Sequence, residues 1–139
     1  MRIVLDTNIY IAAALKNSFS AEVIDIITKS SNLQIFTSEE ILTELEQKLQ
    51  DKFSWLQENI DYFVVKIRKI TEVVGIKKKV QVVLRDPKDN KILECALASD
   101  ADLIITLDQD LIKLKQFKGI GIIHPKTFSW TFPDYFKKS

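Results

Sequence analysis

The amino-acid sequence predicts an α/β chain, a mainly parallel β-sheet covered by helices on both faces. Three observations carry this. Ile3–Leu5, Leu33–Phe36 and Leu103–Thr106 are short, largely apolar runs, without the polar alternation of a half-exposed strand. Helical patterns separate them, and strands alternating with helices assemble into a parallel sheet buried on both sides. Two of the runs also lead into a carboxylate: Ile3-Val4-Leu5 ends on Asp6, and Leu103 to Leu107 ends on Asp108. In open parallel sheets the ligand site lies beyond the carboxyl ends of the strands, where both aspartates fall.

Taken in order, Ile3–Leu5 predicts the first strand, and a helix follows through about Lys16. Ser20 is placed to cap a second helix carrying Val23, Ile24 and Ile27. Leu33–Phe36 predicts the second strand. Ser38 caps a third helix, with Ile41, Leu42, Leu45 and Leu49 on one side. A long helical pattern runs from about Ser54 to Ile70, where Leu56, Ile60, Phe63, Ile67 and Ile70 recur at spacings of four and three. Its apolar stripe is expected to be buried within the chain in preference to facing a second copy. Thr71–Val74 and Val80–Leu84 are short β-branched runs. Asp86 starts the next helix, with Pro87 in the first position, where a missing amide proton does no harm. Leu103–Thr106 is a strand, Leu111–Leu114 a short helix and Ile120–Ile123 the last strand. The aromatic segment Phe128–Phe132 is expected to pack on the core.

The 139 residues suit one domain spanning 1–139, large enough to bury a core without disulfides. With 46% hydrophobic and 28% charged residues and only 3 Gly and 3 Pro, the chain is neither disordered nor low in complexity. The lone Cys95 has no internal disulfide partner, which fits a reducing compartment. No targeting segment and no membrane-spanning run is apparent, so a cytoplasmic location without membrane association is expected. The net charge of +1 gives no overall field for nucleic acid. Local basic clusters remain at Lys77-Lys78-Lys79, at Lys113, Lys115 and Lys118, and at Lys137-Lys138. Each is first of all a solvated surface, and each is also able to line the approach of a phosphate backbone.

The acids need individual weighing. Asp6 is either the cap of the following helix or a ligand, with Thr7 and Asn8 as competing caps. Asp110 stands directly before Leu111-Ile112 and is expected to cap that helix, leaving Asp108 for a ligand. Asp89 fits the acidic partner of a capping box begun by Asp86. Its spacing of three, four and seven residues to Ile92, Leu93 and Ala96 also sets it on the inward stripe of the helix. The Ser38 helix carries Glu39, Glu40, Glu44 and Glu46, and helical spacing does not choose among them. At about 4 Å and an effective dielectric near 20, each carboxylate pair repels by roughly 4 kcal/mol. Converging acids therefore call for a cation, and oxygen-only ligands suit Mg²⁺ or Mn²⁺.

Other chemistries are thinned out by what is missing. One histidine, His124 beside Pro125, excludes a histidine pair, and no nucleophile elbow accompanies it. His124 reads as a loop residue and Cys95 as a core residue. No glycine-rich phosphate loop appears.

The order and spacing of these motifs resemble the PIN-domain family across essentially the whole chain. The residues are Ile3-Val4-Leu5-Asp6-Thr7-Asn8, Ser38 with Glu44-Leu45, Asp86-Pro87-Lys88-Asp89-Asn90 with Ala96, Ala101-Asp102 leading to Thr106-Leu107-Asp108-Gln109-Asp110-Leu111, and Gly121-Ile122-Ile123-His124-Pro125 with Phe128. The likeness is greatest to the toxins of toxin–antitoxin pairs, the VapC-like ribonucleases. It implies a three-layer α/β/α sandwich and a Mg²⁺- or Mn²⁺-dependent endoribonuclease that hydrolyses RNA phosphodiesters without a side-chain nucleophile. It implies Asp6, Glu44, Asp89 and Asp108 as the catalytic metal ligands, with Asp6 and Asp89 principal. Asn8 and Thr106 would orient these carboxylates, and Asp110 is an extra acid. Glu44 rests on the resemblance alone. The family also implies an RNA substrate, a small antitoxin protein whose segment occupies the cleft, and a homodimer. Two rivals stand beside this. A haloacid-dehalogenase-like phosphatase would carry a second aspartate where Asn8 stands. A catalytically silent module would keep the acids and bind RNA or an antitoxin.

Overall fold

The computed structural model of the chain describes residues 1–16, 18–80 and 87–137. In chain order the elements are β1 (Arg2–Leu5), α1 (Thr7–Ala14), α2 (Ser18–Lys29), β2 (Gln34–Thr37), α3 (Glu39–Asp51), α4 (Gln57–Ile70) and β3 (Thr71–Val73). They continue with a 3₁₀ turn (Pro87–Asp89), α5 (Asn90–Ala98), β4 (Leu103–Ile105), α6 (Gln109–Ile112), β5 (Gln116–Phe117), β6 (Ile120–Ile123) and α7 (Pro125–Thr131), and a second 3₁₀ turn at Pro133–Phe136. The strands form one sheet in the order β3-β2-β1-β4-β6-β5. All pairings are parallel except β5 with β6. The helices flank this sheet, so the fold is the expected α/β sandwich.

The central strands are buried because their residues are apolar on both faces. Ile3, Val4, Leu5, Ile104 and Ile105 are all fully buried. Ile9, Tyr10, Leu42, Leu45, Ile92, Leu93 and Phe128 complete the core from the helices. Register decides what happens at the strand ends. β1 and β4 align Val4 with Ile104 and Leu5 with Ile105. One step further, Asp6 stands beside Thr106, and its amide donates to the Ile105 carbonyl at 2.9 Å.

Ser38 caps α3 as expected, its Oγ accepting from the Ile41 amide at 3.2 Å. Several expectations need correction. α2 begins at Ser18, so Ser20 lies within its first turn and does not cap it. α4 begins at Gln57, because Ser54 has φ 54° and cannot continue a helix, and Leu56 is 64% exposed. The buried face of α4 is Ile60, Val64 and Ile67, with Phe63 and Ile70 partly buried against the core, so the expected stripe turns inward only in part. Phe128 is in the core beside Phe132 and Phe136, but Trp130 is 73% exposed, so the closing aromatic segment is only partly packed. β5 was not expected. Its hairpin to β6 turns on Lys118 and Gly119, both at positive φ, as a two-residue hairpin loop requires. From residue 81 onward the Val80–Leu84 run, and Asp86 with its capping role, lie outside the described residues. So does Lys138. Among the described residues no helix is long and apolar enough to cross a membrane.

Candidate functional site

The end of β1 and the end of β4 meet at one point. Asp6 occupies the N-cap position of α1 in extended backbone, but its side chain makes no capping hydrogen bond to the helix. Instead Asp6 Oδ2 accepts from Thr106 Oγ1 at 2.6 Å and from Asn8 Nδ2 at 3.1 Å. Thr106 is fully buried and does two jobs, since its Oγ1 also accepts from the Asp108 amide at 2.9 Å. Asn8 is bonded on its other side, where Oδ1 accepts from the Leu107 amide at 3.2 Å. Asn8 and Thr106 therefore orient Asp6 and tie it to the loop that carries Asp108.

Asp108 corrects one expectation. It, and not Asp110, caps α6: its Oδ1 accepts from the Asp110 amide at 2.8 Å. Asp110 lies in the first turn of that helix, where a negative charge suits the dipole.

Electrostatics joins three of the acids. Asp6 is only 5% exposed, and its carboxyl is pushed up to about 6. Burial is the main cause, the charges of Glu44 and Asp108 add to it, and the hydrogen bond from Thr106 opposes it. Glu44 is itself buried on α3. Among the four glutamates of that helix, it is the one whose charge reaches Asp6. Asp89 sits partly buried at the junction of the 3₁₀ turn and α5, two residues before Lys91. Lys91 in turn reaches Glu44, which sets the head of α5 against the same corner.

Two cations that sequence reasoning missed face Glu44. Lys48 Nζ is 2.8 Å from Oε1, and Lys91 Nζ is 3.8 Å from Oε2. Lys48 was legible as the i,i+4 partner of Glu44. Lys91 comes from another helix, and no local spacing announces it. Among the described residues no three Asp, Glu, His or Cys side chains are drawn together as a finished metal-ligand set. The chemistry of the corner nevertheless suits a hard cation. All its acidic donors are oxygens, and Asp6 is an acid held in a buried, negatively charged place. Next to the acids in sequence, the buried Thr7 Oγ1 and Asn90 Oδ1 have no hydrogen-bond partner among the described residues.

The remaining candidates behave as core or cap. Cys95 is buried in α5, with its thiol pushed up to about 12 mainly by burial. His124 caps α7, its Nδ1 accepting from the Lys126 amide at 3.0 Å, and burial lowers its affinity for a proton. A separate groove of about 520 Å³ between α2 and α4 is lined by Ile24, Phe63, Ile67 and Ile70, well removed in character from the acidic corner.

A sequence profile of the PIN domain matches residues 2–110. The chain belongs to the PIN-domain family. The matched span runs from β1 into the first turn of α6, and so contains Asp6, Glu44, Asp89, Asp108 and Asp110. The PIN domain is also similar in structure to the crystal structure of VapBC2 from Rickettsia felis bound to a DNA fragment from their promoter. The TM-score is 0.64 at 20% identity, over 88% of this chain and 97% of that one. At that identity the likeness speaks to the fold. No curated protein sequence matches this PIN domain.

Proposed function

We propose that this PIN domain, spanning 1–139, is a Mg²⁺- or Mn²⁺-dependent endoribonuclease and the toxin of a toxin–antitoxin pair. The observation that carries the reading is Asp6. A carboxylate 5% exposed, pinned by Thr106 and Asn8 and pushed up to about 6 with Glu44 and Asp108 contributing, is costly to keep in a resting fold. A site that binds a cation gives that cost a purpose. PIN-family membership supports nuclease chemistry, and likeness to VapBC2 supports a protein partner.

Asp6, Glu44, Asp89 and Asp108 would hold the divalent ion. Bound there, such an ion activates water and stabilises the charge that develops on a phosphoryl group in in-line displacement. The chain's own side chains then do the positioning. Thr106 holds Asp6 in one rotamer and fixes the backbone of Asp108 through its amide. Asn8 bridges Asp6 to Leu107, so the two strand ends move as one unit. The position where a haloacid-dehalogenase-like phosphatase would carry its second aspartate is Asn8, an amide bonded to Asp6 and to the Leu107 amide.

The decisive experiment is RNA cleavage in Mn²⁺ by purified wild type and Asp6→Asn. Cleavage is expected from the wild type alone, and undiminished cleavage by Asp6→Asn ends this reading. For the toxin role, induced expression is expected to arrest bacterial growth, and Asp6→Asn to relieve the arrest. One observation favours the silent module: Glu44 is already neutralised by Lys48 and Lys91. Calorimetry tests the choice in one direction: a site that takes up no Mn²⁺ favours the module, whereas uptake leaves turnover to the cleavage assay.

A further inference from the structure

Lys91 is an unusual occupant of its position. It is the second residue of α5, where the helix dipole is positive and a cation is unfavourable. Local helix physics therefore does not explain it. Across the corner, its ammonium faces Glu44 Oε2 at 3.8 Å. That is an ion pair and not a hydrogen bond. Lys48 holds the other oxygen at the shorter 2.8 Å. Lys91 thus keeps its N–H donors uncommitted among the described residues, at 31% side-chain exposure, on the rim of a buried acidic corner. An ammonium with spare donors beside acids that repel a phosphate is the group an incoming phosphodiester can reach.

We infer that Lys91 is the substrate's phosphate contact: its ammonium rests against Glu44 in the free protein and passes to a non-bridging phosphate oxygen of bound RNA. This rests on the nuclease reading, and it assigns a specific residue to substrate capture. It also explains why Glu44 needs two cations in the free protein. When Lys91 leaves, Lys48 stays on Oε1, and Oε2 turns to the site.

The test measures RNA capture apart from catalysis. A labelled single-stranded RNA oligonucleotide is titrated by fluorescence anisotropy, in chelator, against the uncleaving Asp6→Asn protein with and without Lys91→Met, Lys91→Gln or Lys91→Arg. Loss of one phosphate contact is expected to weaken binding about fivefold or more and to lower the salt-dependence slope by about 0.7, the single-strand value. Lys91→Arg is expected to restore both. Lys29→Met, an exposed lysine at the end of α2 paired with Asp25, is the control for net charge. In the otherwise wild-type enzyme with Mn²⁺, Lys91→Met is expected to raise KM about tenfold with kcat within about twofold. The inference is overturned if Lys91→Met and Lys91→Gln leave affinity and slope unchanged, or if Lys29→Met weakens binding equally. It is also overturned if Lys91→Met reduces Mn²⁺ uptake in calorimetry, since Lys91 would then serve Glu44 alone. Absence of Mn²⁺-dependent cleavage by the wild type sinks the nuclease reading separately, and the anisotropy arm still decides the phosphate contact.

Discussion

Replacing Asp6 by asparagine should stabilise this protein at neutral pH while destroying its proposed activity. The Asp6 carboxyl is raised from 3.8 to about 6, chiefly by burial. A shift of roughly two units corresponds to about 3 kcal/mol between the two protonation states. The sign follows from which state holds the proton more tightly. The folded state does, so its advantage is full below about 3.8 and is lost as pH rises through about 6. Above that, folding carries the whole penalty of a buried negative charge. Asparagine keeps an oxygen to accept from Thr106 and Asn8, and it offers an amide to the neighbouring acids without any charge. The variant should therefore exceed wild type by up to about 3 kcal/mol at pH 8 and by little at pH 4, a gain of roughly 10 °C in Tm at the higher pH. Thermal unfolding in chelator at the two pH values measures this. The order should invert in a large excess of Mn²⁺, since an ion at a thousand times its Kd adds about 4.1 kcal/mol to the protein that binds it. A variant less stable than wild type at pH 8, or a difference independent of pH, would refute the argument that burial charges Asp6 with this penalty.

Two further substitutions probe the support around the site and the core. Thr106→Val removes the donor to Asp6 and the acceptor of the Asp108 amide in one step, and should cost about 1–3 kcal/mol. Because that hydrogen bond holds the Asp6 proton affinity down, the Asp6 titration followed by carbon-13 NMR should move further upward; an unmoved midpoint would show the bond to be idle. In the aromatic segment, Phe128→Ala should cost about 3–5 kcal/mol in urea unfolding, the scale for emptying a fully buried aromatic site. Trp130→Ala should change stability by no more than about 0.5 kcal/mol, as befits an exposed side chain. Comparable losses from both would mean that the segment packs as a whole.

The parallel strands were legible because burial on both faces leaves a chemical record: β1, β2, β4 and β6 are apolar runs, and each lies where that record predicts. β5 left none. Gln116–Phe117 is too short for periodicity, and a lysine at positive φ in the hairpin loop gives no sequence signal. Register is equally silent in sequence, yet it makes the site, since aligning Leu5 with Ile105 is what sets Asp6 against Thr106 across 100 residues of chain. Partners within a helix could be read, as with Glu44 and Lys48, whereas Lys91 depends on how two helices meet.

Asp108 is the most instructive failure. Sequence reasoning gave the cap of α6 to Asp110 in order to free Asp108, as though capping and cation binding excluded one another. They do not. The residue that caps is the one whose backbone is still extended just before the helix, and Asp108 has φ −81° and ψ 116° immediately ahead of Gln109. Its cap engages Oδ1, while the charge of the carboxylate still reaches Asp6 and raises it. A cap fixes the side chain's rotamer at the strand end, which is what a site assembled from separate strands needs from each of its acids. The cap and the site thus ask the same geometry of Asp108, and a strand that runs straight into a helix supplies it.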